Sequence, residues 1–405
     1  MNDNMLIVHG GAPTAVINAS LYGAIRQARA SGAVGRIYGA KNGSAAIASG
    51  DWIDLGALPP ETLEALPHTP ASFIGTSRFP LEEDGYEKIV DTLVGKNIRY
   101  LLFNGGNGSM DTCGKIARTV DRRAPGSGIR VVGIPKTIDN DIAVTDHAPG
   151  FGSAARYLAA SVAELARDIA SLPIHVCVVE SMGRNAGWLT AASALAKDGL
   201  RDAAGRMDGF GRNAGSPLGP HLVYVPEIPF DEEAFLDEAG SLYRKFGGVV
   251  VVASEGLKDA SGKPIVPPIF QTGRSVYYGD VSAHLANLVI MRLGIKARNE
   301  KPGVLGRCSI AHQSPVDRAE AILAGEEAVN AALAGMTGVM VGFRRVSSES
   351  YRCETFLIPV EAVMLHERSL PLEYLNSDRN GIDDAFVQWC RPLIGGALAP
   401  FAGRF

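Results

Sequence analysis

The sequence predicts an α/β fold with largely parallel sheets, on three observations. Short apolar, β-branched runs recur along the chain, each is followed by a glycine-bearing turn, and each turn leads into a helix-period pattern. The runs are Met5–His9, Tyr100–Phe103, Arg130–Ile134, Val176–Val179, Leu222–Val225 and Val249–Ala253. Within the last, Val249, Val250, Val251 and Val252 are continuously apolar rather than alternating, which is what a strand needs when helices cover both of its faces.

Between the runs, residues 153–172 carry the clearest helical period. Leu158, Val162, Leu165, Ile169 and Leu172 recur at steps that line one face, and Ser153 stands at the N-cap position. This stripe reads as a core-packing face. Further helices are predicted over Ala15–Ala28, Asp280–Leu293 and Asp317–Ala334, and loops over Gly205–Pro220 and Lys258–Pro268, where Gly, Pro, Ser and Asn concentrate.

A chain of 405 residues exceeds one ordinary domain of about 100–200, so two domains are expected. The hydrophobic share of 46% and charged share of 20% are those of globular proteins and exclude disorder or a rod. Glycine is the outlier, with 47 residues, roughly 12% against a usual value of about 7%. The charge is nearly balanced at −4, which leaves no footprint for nucleic acid or an anionic membrane, so an anionic ligand must be held locally. Cys113, Cys177, Cys308, Cys353 and Cys390 form no CxxC pair and are odd in number, as reduced cytoplasmic thiols would be, each buried and inert by default. The N-terminal MNDNMLIVHGG has no basic region followed by a long apolar stretch, so a soluble, unprocessed cytoplasmic protein is expected.

Phosphate-type ligands bind where a strand ends in glycines and a helix begins, because backbone N–H groups and the helix dipole converge there. Gly10-Gly11, FNGGNGSMDT at 103–112 and GIPKTIDND at 133–141 are three such junctions. Each alone is more often just a tight turn. Together with Lys136, Thr137, Asp139 and Asp141 they supply a hydroxyl, an ammonium and two carboxylates after one strand. Alternate positions of an extended segment face the same way, which would bring Asp139 and Asp141 to one site. A base for a hydroxyl and a metal-linked carboxylate are what phosphoryl transfer requires. VVESMGRNAGWLT at 178–190 adds Arg184, which can fork onto an anion, and IGTSRFP adds Arg78. Trp188 reads as a packing residue.

GGNGSMDT, PKTIDND, ESMGRNAGW, SRFP and ASEG, spread from Met1 to about Ser314, resemble the phosphofructokinase family, and its pyrophosphate-dependent branch in particular. The resemblance implies two similar Rossmann-like domains with the active site in the cleft between them. One would be a donor-binding domain over 1–150 with a return segment near 308–365. The other would be a fructose 6-phosphate-binding domain over 151–307 with the C-terminal segment 366–405. It implies Mg²⁺-dependent phosphorylation of the fructose 6-phosphate 1-hydroxyl, and a homodimer or homotetramer.

By position, Asp139 is similar to the base on the 1-hydroxyl, Thr137 to a contact of the moving phosphoryl group, and Asp141 to the carboxylate beside it. Lys136 and Arg78 would stabilise charge. Met182, Gly183 and Arg184 match the sugar-phosphate segment, and Glu255 a contact of sugar hydroxyls. Gly11, Gly106, Asn107, Gly108 and Ser109 match donor-side positions. The sequence also departs from the family. Asn107 replaces a magnesium-holding Asp, so metal placement would rest on Asn107, water and Asp141. His175 replaces an Arg that reaches the sugar phosphate. The segment Gly306–Ile310 lacks the family's Arg in register, a role open to Arg298, Lys301 or Arg307.

Lys136 and the Asn-Ala-Gly-Trp stretch favour pyrophosphate as donor, whereas Gly108, where the pyrophosphate enzymes carry Asp, leaves room for ATP. Pyrophosphate is the expected donor, with ATP or dual use as the alternative. A non-catalytic, sugar-phosphate-sensing homologue is the alternative of another class.

Overall fold

The computed structural model describes residues 3–78, 80–200, 218–272, 275–348, 350–364 and 366–401, the side chains of 199, 200, 272, 275 and 277 excepted. Of the loop expected over Gly205–Pro220, the part up to 217 lies outside the described residues. The chain divides into two compact units, Met1–Ala154 with Arg307–Arg368, and Ala155–Gly306 with Ser369–Phe405.

Among the described residues the strands, in chain order, are β1 Asn4–His9, β2 Ile37–Ala40, β3 Trp52–Asp54, β4 Ile98–Gly105, β5 Arg130–Pro135, β6 Val176–Ser181, β7 Leu222–Tyr224, β8 Val249–Ser254, β9 Pro268–Thr272, β10 Ser275–Tyr278, β11 Ala297–Glu300, β12 Val339–Ser347 and β13 Arg352–Pro359. In the first unit seven of them form one sheet in the order β13-β12-β5-β4-β1-β2-β3. The five inner strands are parallel, and β13 and β3 close the edges as antiparallel partners.

Both faces of this sheet are covered, and the period of two along β1 divides its side chains between them. Met5 and Ile7 pack with Leu21 and Ile25 of the helix Ile17–Ser31 and with Ala324 and Ala328 of the helix Pro315–Leu333. Leu6 and Val8 pack with Ile89 and Leu93 of the helix Glu83–Gly95 and with Cys113 and Ile116 of the helix Asn107–Arg123. Each fully buried aliphatic side chain of this kind contributes about 1.5–3 kcal/mol. β2 lies to one side of β1 and β5 to the far side of β4, so the winding reverses between β1 and β4. Loops leaving the carboxyl ends of such a pair diverge and open a crevice for ligand.

The second unit holds a parallel sheet in the order β11-β6-β8-β7, and the six residues of β8 are all buried. Phe235 and Leu236 of the helix Glu232–Phe246, with Leu285 and Val289 of the helix Val281–Leu293, pack on it. From the C-terminal segment Tyr374, Phe386 and Trp389 gather around buried Trp188, with ring centroids 6.1, 6.4 and 5.0 Å away.

The predicted runs lie within β1, β4, β5, β6 and β8, and Leu222–Val225 exceeds β7 by one residue. Two local expectations fail. The helix predicted over 153–172 spans Phe151–Ser171, so Ser153 lies inside its first turn rather than at its cap. The capping is done from another helix. Buried Asp317 accepts from Gly150 N at 2.8 Å, Ser153 N at 2.9 Å and Ser153 Oγ at 2.5 Å. Leu172, expected on the packed stripe, falls beyond the helix end and is 57% exposed. Among the cysteines, Cys308 and Cys353 are only half-buried, and no disulfide joins any two of the five. No helix among the described residues is long and apolar enough to cross a membrane.

Candidate active site

In the first unit three loops leave the carboxyl ends of the neighbouring strands β1, β4 and β5, and they carry Gly10–Gly11, Gly106–Ser109 and Lys136–Asp141. The helix Asn107–Arg123 starts in the second loop with Gly106 at its cap position and no capping side chain, so its first N–H groups and positive dipole end are available to an anion. Close approach requires the glycines here, because a Cβ on Gly10 or on Gly105 would overlap the Ser109 hydroxyl. Gly108 is different. It is exposed, and a Cβ on it would meet nothing within 4 Å.

The segment bearing Arg78 is fastened to the first loop. Gly11 N donates to Ser77 O at 2.9 Å, and Thr76 Oγ1 donates to Gly11 O at 2.7 Å. Gly11 sits at φ 76, a left-handed conformation that suits glycine, and a Cβ there would stand 3.3 Å from Lys136 Nζ.

The acidic segment does not follow the strand period expected for it. β5 ends at Pro135, and Asn140 adopts φ 53, which breaks any extended run between Asp139 and Asp141. Hydrogen bonds set the geometry instead. Thr137 Oγ1 donates to Asp141 Oδ1 at 3.0 Å and accepts from Asp139 N at 3.0 Å. Asn107 Nδ2 donates to Asp141 Oδ2 at 2.9 Å, and Asn140 Oδ1 accepts from Ala148 N at 3.1 Å.

Lys136 is 5% exposed and donates from Nζ to Ala12 O at 2.7 Å. Burial brings its ammonium down to about 8; Asp139 and Asp141 pull it up, while Arg78 and Arg307 push it lower. Burial, together with Lys136, takes neighbouring His9 down to about 3, so His9 is neutral. Burial also raises the Asp141 carboxyl, with the Thr137 bond opposing and Glu367 adding to the rise. Arg307 belongs to this unit and interacts electrostatically with Arg78 and Asp139. Its Nε is buried with no hydrogen-bond partner among the described residues.

The oxygens here fit a hard cation. Asn107 turns its amide nitrogen to Asp141 and leaves Oδ1 buried without a partner among the described residues, beside the Asp141 carboxylate. A carboxylate and an amide oxygen form a sparse donor set that suits a small cation keeping most of its water and binding phosphate oxygens, as Mg²⁺ does.

In the second unit the neighbouring strands β11, β6 and β8 lead directly into Lys301, Met182–Arg184 and Glu255. Ser254, a residue of ASEG to which the sequence alone assigns no role, stitches two of these loops. Its Oγ donates to Gly183 O at 2.7 Å and accepts from Gly256 N at 3.0 Å, and Glu255 N donates to Ser181 O at 2.9 Å. A Cβ on Gly256 would overlap the Arg184 carbonyl. Arg184 lies 4.8 Å over the Tyr278 ring and keeps Nε buried without a hydrogen-bond partner among the described residues.

The other basic candidates differ in their surroundings. Lys301 pairs with buried Glu180 at 2.7 Å and lies 3.9 Å from Asp280. His175 is buried, and burial with Arg298 and Lys296 lowers its pKa, so it is a neutral imidazole beside two cations.

A family model described as Phosphofructokinase matches residues 4–332. The chain is 37% identical over 411 residues to the pyrophosphate–fructose 6-phosphate 1-phosphotransferase of Xanthomonas campestris pv. campestris (strain B100), covering 99% of this chain and 93% of that protein. It is 30% identical to the sulfofructose kinase of Alkalicoccus urumqiensis, with 96% and 94% covered. The crystal structure of the pyrophosphate-dependent phosphofructokinase from Marinobacter aquaeolei superposes with a TM-score of 0.85 at 32% identity, covering 99% of this chain and 94% of that one.

Proposed function

This chain belongs to the phosphofructokinase family, and from that premise we propose that it transfers a phosphoryl group from pyrophosphate to the 1-hydroxyl of fructose 6-phosphate, giving fructose 1,6-bisphosphate and phosphate. It is a phosphotransferase. The observation that carries the reading is the Thr137–Asp139–Asp141 segment held beside buried Lys136 at a winding reversal of the sheet.

In this reading Asp139 accepts the proton of the 1-hydroxyl as the sugar oxygen forms its bond to phosphorus and the bridging P–O bond of pyrophosphate breaks. Thr137 positions both carboxylates. Lys136, Arg78 and Arg307 offset the charge on the moving phosphoryl and leaving phosphate, and the start of the helix Asn107–Arg123, with Gly11, Gly106, Gly108 and Ser109, receives the donor. Asn107 and Asp141 would hold Mg²⁺, which when bound neutralises phosphate oxygens. Met182, Gly183, Arg184, Glu255, Arg298 and Lys301 serve the sugar phosphate, and His175 serves it as a neutral hydrogen-bonding group. Five cysteines with no disulfide between them support a cytoplasmic setting. The exposed Ile269, Phe270 and Met291 of the second unit support a homo-oligomer.

The open space at Gly108 favours a second reading, in which ATP also serves as donor. Steady-state rates with fructose 6-phosphate and each donor at matched Mg²⁺ test both. Turnover with pyrophosphate is expected; turnover with ATP alone overturns the first reading.

A further inference from the structure

Arg368 lies 228 residues downstream of Asn140, in a part of the chain that carries no recognised motif. It is nevertheless bound to the segment that holds the two acidic residues. Arg368 N donates to Asp141 O at 2.8 Å, and its guanidinium reaches three more carbonyls of the same loop. Nη1 donates to Thr145 O at 2.6 Å and Asp146 O at 2.9 Å, and Nη2 donates to Asn140 O at 3.2 Å. The preceding residue, Glu367, forms an isolated antiparallel bridge with Ile142.

These bonds fall where the loop needs them. Asn140 is left-handed at φ 53, so its carbonyl turns away from the strand direction and has no regular ladder to enter. A left-handed non-glycine residue persists when its surroundings over-determine it, and here two contacts do so: the Asn140 side chain accepting from Ala148 N, and Arg368 on the Asn140 carbonyl. Displacing the Asn140 carbonyl would turn the peptide that carries Asp141. A guanidinium can serve three carbonyls in a fixed plane, whereas an ammonium on a flexible stem cannot hold the same spread.

The geometry points to Arg368 as a positioning residue for phosphoryl transfer, acting through the backbone of Asn140, Asp141, Thr145 and Asp146 to fix where the Asp139 and Asp141 carboxylates stand. The inference rests on the reaction proposed above. It places a determinant of turnover in the segment that returns to the first unit, and assigns it no contact with either substrate.

The test compares wild type with Arg368→Ala and Arg368→Lys in the fructose 6-phosphate and pyrophosphate assay, with melting curves to monitor folding and hydrogen exchange over residues 139–146. Because misplacing reacting groups by an ångström costs about 100-fold, kcat should fall by about 10- to 100-fold in both variants, with a smaller change in the KM for fructose 6-phosphate. Added guanidinium below denaturing concentrations should restore part of kcat to Arg368→Ala and none to Asp139→Ala, and exchange over 139–146 should quicken. A kcat within about twofold of wild type in either folded variant overturns the inference, as does unchanged exchange. If Arg368→Ala does not fold, Arg368→Lys decides alone by the same criteria. If wild type shows no turnover with either donor, the proposed reaction fails instead, and the exchange measurement still decides whether Arg368 holds the loop.

Discussion

The Thr137 hydroxyl donates to the Asp141 carboxylate at 3.0 Å while accepting the amide of Asp139 at 3.0 Å, so one side chain sets both acidic positions. Thr137→Val keeps the shape and removes the hydroxyl. It is expected to lower kcat by about 10- to 100-fold through misplacement of the carboxylates. Asp139→Ala should go further and lose about 10²- to 10⁴-fold in kcat, the range for a positioned proton acceptor. Calorimetric binding of fructose 6-phosphate should survive in both. Wild-type turnover in Asp139→Ala would remove it as the base.

Lys136 gives the reaction an alkaline limb. Its ammonium sits at about 8 in the free protein, because burial disfavours the charged form. The charged form is the one that offsets the donor's charge, so kcat/KM for pyrophosphate should be level through neutral pH and fall as pH rises through about 8. Bound anion favours the ammonium, so the limb in kcat should lie higher. Lys136→Met should lower kcat/KM and abolish the limb; a limb that persists in that variant assigns it to another group.

A side chain at position 108 would start into open space, since a Cβ on Gly108 meets nothing within 4 Å. Gly108→Asp is expected to suppress any rate with ATP by crowding and repelling its α-phosphate, with less effect on pyrophosphate. An unchanged ATP rate, in a protein that uses ATP, would show that the donor does not pass over this position.

Gly256 is required by close approach rather than by backbone conformation. A Cβ there would overlap the Arg184 carbonyl, so Gly256→Ala must displace the backbone that carries Arg184. Overpacking of this kind costs about 1–3 kcal/mol, and the KM for fructose 6-phosphate should rise more than kcat falls. Melting curves and steady-state kinetics check the two parts separately.

His147 makes stability depend on pH. Burial alone would lower its pKa, but Glu320 and Asp146, at 2.8 and 2.9 Å from its two ring nitrogens, outweigh burial and hold it at about 9. The folded value lies above the unfolded one of about 6.5, so the contribution is fully present below about 6.5 and is lost as pH rises through about 9. It is worth on the order of 3 kcal/mol at most. His147→Gln should be less stable than wild type at neutral pH, with the gap narrowing toward pH 9 in denaturant titrations.

Much of the fold is legible in the chain because its signals are local. The apolar runs and the glycines that follow them identify β1, β4, β5, β6 and β8, since a doubly covered strand and a tight turn each need particular residues within a short stretch. β2, β3 and the antiparallel pair β12 and β13 escape such a reading. They carry polar or glycine positions that blur a strand pattern, and β13 exposes alternate residues at a sheet edge. Ser153 misleads for a similar reason: a serine before an apolar stripe looks like a cap, and nothing nearby in sequence announces that Asp317 will take that role.

For the candidate site, residue types and glycine junctions are readable in the chain, because an ammonium, carboxylates and side-chain-free turns are chemical properties of single residues. Their arrangement is decided by the fold. The strand order brings the loops after β1, β4 and β5 together, Asn140 departs from the extended backbone that would have aligned Asp139 with Asp141, and Arg307 joins the first unit with Arg78 and Asp139. Arg368 reaches Asn140 across 228 residues. Periodicity and turn chemistry act over a few residues, so they are written in the sequence. Which carbonyl a distant guanidinium meets depends on how whole strands and helices pack, and only the tertiary structure decides that.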